Sequence, residues 1–142
     1  MRIQRSLPAD PTAPRRARES LGALGHELRS RSDHDLRLVL SELVTNAVKY
    51  GGLRKRERIE VDLWVGPTRS EVMVRYPQHA GFPPIAPPEP RGEEGWGLFL
   101  VDHVADRWSV VECGGYLLIW VELTGEPGPE RAPIVSASTY GG

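Results

Sequence analysis

The chain has a single cysteine, Cys113, so it can form neither an internal disulfide nor a multi-cysteine zinc site. Such sparing use of cysteine suits a reducing compartment. No apolar run approaches the ~20 residues needed to span a bilayer. The stretch MRIQRSLPADP also lacks the apolar core of a secretory leader, so a cytoplasmic protein is expected. Charge of one sign is missing as well. Lys and Arg number 18 against 19 Asp and Glu, and the net charge of −1 gives no electrostatic reason to expect nucleic acid or a membrane surface. There is no internal repeat. With 39% hydrophobic and 26% charged residues over 142 positions, the composition is that of one globular domain with one core.

What is present is organised around LRLVLSELVTNAVKYGG, residues 36–52. Leu36, Val39, Leu40, Leu43, Val44, Ala47 and Val48 fall on one side of a helical wheel, with Ser41, Glu42, Thr45, Asn46 and Lys49 on the other. Ser32 or Asp33 can cap its start, and Gly51-Gly52 can end it in a left-handed turn. Glu42, Asn46 and Lys49 form one row, with Cβ atoms of the first pair about 5–6 Å apart. Asn46 stands at the border of the apolar arc. A carboxylate and a carboxamide placed so could position a water and a metal-bound phosphate; a solvated polar face is the plainer reading of the same row.

Before this helix, Ile3–Leu7 reads as an edge strand. Asp10-Pro11 then caps a helix with Ala17, Leu21, Leu24 and Leu28 as its stripe and Arg15, Arg16 and Arg18 outside it. After it, Ile59, Val61, Leu63 and Val65 alternate with Glu60, Asp62 and Trp64. Val72, Val74 and Tyr76 alternate with Met73 and Arg75, and Gly66-Pro67-Thr68-Arg69 between the two runs predicts a hairpin. Residues 77–94 hold six prolines and almost no periodicity, the mark of a functional lid or a disordered loop. Gly95-Trp96-Gly97 opens a third helix, LFLVDHVADRW, with Leu98, Val101, Val104, Ala105 and Trp108 as its apolar side. A last hairpin turns at Gly114-Gly115. This order predicts an α+β two-layer sandwich over residues 1–124, with a Pro/Gly/Ser-rich tail over 125–142.

Three features in this order, Glu42-x-x-x-Asn46 on a helix, a hairpin into a long loop, and Gly95-x-Gly97-Leu98 opening the next helix, resemble the histidine-kinase-like (Bergerat-fold) ATPases. The string GWGLFLVDHVADRW before a Gly-Gly hairpin is similar to the small bacterial anti-sigma-factor serine kinases within that family. The resemblance covers roughly residues 5–123. It implies a mixed, mostly antiparallel sheet with helices on one face, and an ATP and Mg²⁺ site lined by Asn46, Lys49, Gly81, Gly95, Trp96, Gly97 and Leu98. Within it, Glu42 would polarise the attacking hydroxyl and Asn46 would hold the metal. The implied partners are a sigma factor, an antagonist protein, or both, with a homodimer as a further possibility.

The chain also departs from the family's pattern. The family's adenine-reading aspartate has no counterpart in Tyr76-Pro77-Gln78-His79-Ala80-Gly81-Phe82, Tyr116 replaces a threonine after the closing glycines, and Tyr50 replaces a histidine. A site that has lost such an acceptor loses discrimination and about ten- to a hundredfold in affinity. The expectation is weak ATP binding with little preference over GTP, and Tyr76 or Pro77 with Tyr116 filling part of the base slot. Two readings follow: a regulatory ATP-binding kinase acting by partner switching, or a nucleotide-free protein-binding module on the same fold.

Overall fold

The computed structural model describes residues 1–22, 31–80 and 96–124, and for 31–33 and 96–99 it describes the backbone alone. Its elements are β1 (Arg2–Pro8), α1 (Ala13–Ser20), α2 (Arg31–Tyr50), β2 (Arg58–Val65), β3 (Arg69–Pro77), α3 (Trp96–Val104), β4 (Arg107–Cys113) and β5 (Tyr116–Thr124). The strands form one sheet in the order β1-β2-β3-β5-β4. Every pairing is antiparallel, so the mixed component expected of the sheet is not found among the described residues.

Alternation decides which face of the sheet is covered. Ile59, Leu63, Val72, Val74, Val110, Leu117, Ile119 and Val121 are all fully buried, and each lies two residues from the next of its own strand or at a multiple of two. The apolar stripe of α2 supplies the opposite layer, with Leu36, Val39, Leu40, Leu43, Val44 and Ala47 at 1% exposure or less. α1 and α3 pack beside α2, giving the two-layer α+β sandwich. The helix period and the strand period therefore meet in a single core.

Two expectations change in detail. Asp10 does not cap a helix; its carboxylate accepts the Thr12 N–H (2.8 Å) and the Thr12 hydroxyl, and α1 starts at Ala13 with Pro14 in its first turn. Leu24 and Leu28 lie outside the described residues. α3 stops at Val104, so Trp108 belongs to β4. Its place one turn beyond Val104 fits a helix, but it also alternates with Val110, and the pairing of Trp108 with Val121 wins. The indole still serves the junction, because its Nε1 donates to Asp102 at 3.1 Å.

Two glycine sites shape the turns. Gly114 and Gly115 take φ of 59° and 83°, the left-handed pair that a two-residue hairpin needs. Gly51 instead allows close approach. A Cβ there would stand 2.5 Å from the Ala47 carbonyl and 3.1 Å from Tyr76 Cε2, so the end of α2 lies directly on β3. Gly51→Ala should cost about 1–3 kcal/mol in urea unfolding by overpacking this contact. Gly22→Ala, whose Cβ would meet nothing within 4 Å, should leave stability within about 0.5 kcal/mol of the parent.

Candidate functional site

Beside its apolar stripe α2 carries Glu42, Asn46 and Lys49 in one row. Burial grades along this row. Lys49 is exposed, Glu42 is half-buried, and Asn46 is 2% exposed. The border position of Asn46, beside Leu43 and Ala47, carries its side chain under the surface.

Both polar atoms of that side chain, Oδ1 and Nδ2, are buried without a hydrogen-bond partner among the described residues. A carboxamide left so costs about 1–3 kcal/mol, and buried polar groups are seldom left in that state without cause. A hard cation takes oxygen ligands, and the Asn46 Oδ1 is a free oxygen held in a fixed place. Among the described residues no group of three or more His, Cys, Asp or Glu could hold a metal by itself. The Asn46 oxygen is of the donor type that a Mg²⁺ ion would take.

Burial pushes the Glu42 carboxyl above its ordinary value of 4.5, opposed by the charge of Lys49 two turns on. A carboxylate raised in this way is a better proton acceptor than an exposed one. Beside the row, Arg18 of α1 donates to the Ser41 hydroxyl at 2.7 Å, so this arginine holds α1 to α2 and is not simply a solvated charge.

Of the other expected site residues, Trp96, Gly97 and Leu98 form the first turn of α3, which packs against α2. The first turn of a helix presents unpaired N–H groups. Gly81 and Gly95 lie outside the described residues, as does most of the Pro-rich segment expected to act as a lid.

The base end differs from the expectation. Tyr76 is 2% exposed on the helix side of the sheet, against Gly51, as a bulky residue in that region would be. Tyr116 lies on the other side of the sheet from Tyr76. It is 42% exposed on the opposite face, with the Arg75 guanidinium 5.0 Å from its ring centre, because Leu117, Ile119, Val121 and Leu123 take the core side of β5. A contact with no signal in the sequence joins this region: His79 Nε2 lies 2.6 Å from Glu57 Oε1, across 22 residues. Glu57 is in the turn after α2, and its Oε1 also accepts the Arg54 N–H at 2.7 Å. Burial raises the Glu57 carboxyl, but these two hydrogen bonds and the coulombic pull of the same two residues together hold the group below its ordinary value. Gln78 N–H donates to the Gly115 carbonyl at 2.9 Å, so the end of β3 touches the β4–β5 turn as well.

Hollows also lie elsewhere on the described surface. One of about 510 Å³ sits on the open face of the sheet between Gln4, Glu60, Asp62 and Arg75, and one of about 560 Å³ lies beside α1 near Asp10, Arg16 and Arg58. Neither includes a residue of α2. We place the site on α2 because an unpartnered buried amide and a half-buried raised carboxyl stand there one turn apart.

Both residues should lower the stability of the empty protein. Asn46→Leu removes two unpaired buried atoms at similar volume, and should leave the melting temperature unchanged or raise it by up to about 8 °C. For Glu42, the native state holds its proton more tightly than the unfolded chain, so stability falls as pH rises through the shifted value. Glu42→Gln should therefore melt higher than the parent at pH 7, and the gap should close as pH falls below about 4.5, the unfolded value.

Among solved structures, part of the structure of the RsbU and RsbW domains of Rv1364c from Mycobacterium tuberculosis shares this fold, with a TM-score of 0.59 and 20% identity over 90% of the present chain. The chain spans 34% of that structure's length. Comparison with curated proteins finds no match. The family described as Histidine kinase-like ATPase domain matches residues 7–120, which takes in α1, α2, the β2–β3 hairpin, α3, and nearly all of the final hairpin. The chain belongs to the histidine kinase-like ATPase domain family.

Proposed function

We propose that this protein is a regulatory, nucleotide-dependent protein serine/threonine kinase of the anti-sigma-factor type. It binds Mg-ATP on α2 and acts by switching between a sigma factor and a small antagonist protein that it phosphorylates. The observation that carries this reading is the pairing on α2 of Asn46, buried and unpartnered, with Glu42, half-buried and raised. A merely solvated helix face needs neither. Family membership and the fold of an RsbW-containing structure support the same reading.

In this account Mg²⁺ bound through Asn46 would neutralise phosphate charge. The first turn of α3, at Trp96, Gly97 and Leu98, gives its N–H groups to phosphate oxygens. Lys49, exposed at the end of the row, adds positive charge nearby. Glu42 accepts the proton of a serine hydroxyl on the partner as its oxygen bonds to the γ-phosphorus and the bond to ADP breaks. Because the site must hold a carboxylate in a half-buried place, the carboxylate becomes active only above its raised value.

A second reading, a nucleotide-free binding module, is favoured by the buried Tyr76 ring against Gly51 and by Pro77, which has no side-chain acceptor to offer a base. Titration with ATP, with and without Mg²⁺, separates the two.

Glu42→Gln should lower phosphotransfer by about 100-fold or more and leave nucleotide affinity within a few-fold. In the parent, the rate should fall on the acid side with a midpoint above 4.5. Asn46→Leu should abolish the rise in melting temperature that Mg-ATP produces. Equal phosphotransfer by parent and Glu42→Gln removes Glu42 from this role.

A further inference from the structure

The base end lacks the carboxylate expected there, yet a carboxylate is close by. From Asn46 to Gly51 the helix rises by ~7.5 Å. A nucleotide whose phosphates lie beside Asn46 and which extends toward the end of α2 reaches Gly51 and Tyr76. Beyond Tyr76 the chain passes Pro77 and Gln78 to His79, and there the imidazole meets Glu57 from the turn after α2. Both side chains of this pair are about one-fifth exposed, at 20% and 21%. They face a rim and not the core.

The chemistry of the pair is directional. Glu57 is held by the Arg54 N–H, and its ionised Oε1 can only accept. His79 Nε2 must therefore carry the proton that it shares with Glu57 at 2.6 Å. In a neutral imidazole this leaves Nδ1 as a bare acceptor. No other hydrogen bond engages the ring among the described residues. In the neutral ring, the contact with Glu57 thus selects the tautomer whose Nδ1 is an acceptor.

We propose that the Glu57–His79 pair is the base-reading element of this protein, with His79 Nδ1 accepting a hydrogen bond from the exocyclic amino group of adenine and Glu57 positioning the ring. Guanine offers a carbonyl oxygen at the equivalent place, and two acceptors facing each other lose the bond. The proposal rests on the nucleotide site of the preceding section. It replaces the expectation of little preference between ATP and GTP with one of selectivity for ATP.

The test is calorimetric titration of the full chain with ATP and with GTP, each with Mg²⁺, at pH 8. The parent should prefer ATP by about tenfold, the effect of one such hydrogen bond. His79→Ala should bring the ratio close to one by weakening ATP and not GTP. His79→Asn, which can put a carbonyl oxygen near the position of Nδ1, should keep most of the preference; His79→Gln, whose oxygen stands nearer Nε2, should not. Long-range ¹H–¹⁵N spectra of the parent should show Nδ1 without a proton, and a shift of that nitrogen on adding ATP but not GTP. ATP binding with an unchanged ratio in His79→Ala, or a proton found on Nδ1, overturns the proposal and leaves the nucleotide site standing. Failure to bind either nucleotide overturns both.

Discussion

The closeness of α2 to the sheet governs the rest of this molecule. Ala47 and Gly51 offer almost no side chain at the helix's C-terminal end, and the Tyr76 ring occupies the space this frees. With the helix seated so low, Asn46, on the border of the apolar stripe, passes under the surface while Glu42 one turn earlier stays half out. A bulkier contact at Gly51 would lift this end and return both groups to water. The cost of burying an unpaired amide is met by the helix's own stripe, in which Leu36, Leu40, Leu43 and Val44 are almost wholly buried.

The same contact draws the base end together. With Gly51 on Tyr76, the turn after α2 runs beside the strand end of β3, which lets Glu57 meet His79. The hydrogen bond from Gln78 to the Gly115 carbonyl ties that strand end to the far hairpin. Helix, turn, strand end and hairpin turn thus converge at one end of the sheet. The other end is held by different means: Glu122, buried in β5, is met by Arg107 at 3.1 Å and Arg69 at 3.6 Å.

Periodicity makes much of this architecture legible in the sequence. The stripe of α2, the alternation of Ile59 to Val65 and of Val72 to Tyr76, and the Gly-Gly turn each follow from a short local rule. The Glu42–Asn46 row is legible too, since four residues make about one turn. Other features are not. Trp108 fits both a helical stripe and a strand's alternation, and only its pairing with Val121 decides between them. The face on which Tyr116 lies depends on its register after Gly115, and a shift of one residue moves every side chain across the sheet. The Glu57–His79 contact spans 22 positions and has no periodic signature, so nothing local announces it. The burial of Asn46 follows from its border position, but its lack of a partner among the described residues does not, because that depends on every neighbour at once.

The central claim is that the Asn46 carboxamide is buried without a partner because a metal-bound nucleotide supplies one. The most direct measurement follows the side-chain ¹⁵N amide resonance of Asn46 while ATP is added, first without Mg²⁺ and then with it. The account predicts a small change with ATP alone and a large, saturable shift once Mg²⁺ is present. A resonance that stays in place while calorimetry shows Mg-ATP binding would put the nucleotide elsewhere and contradict the account.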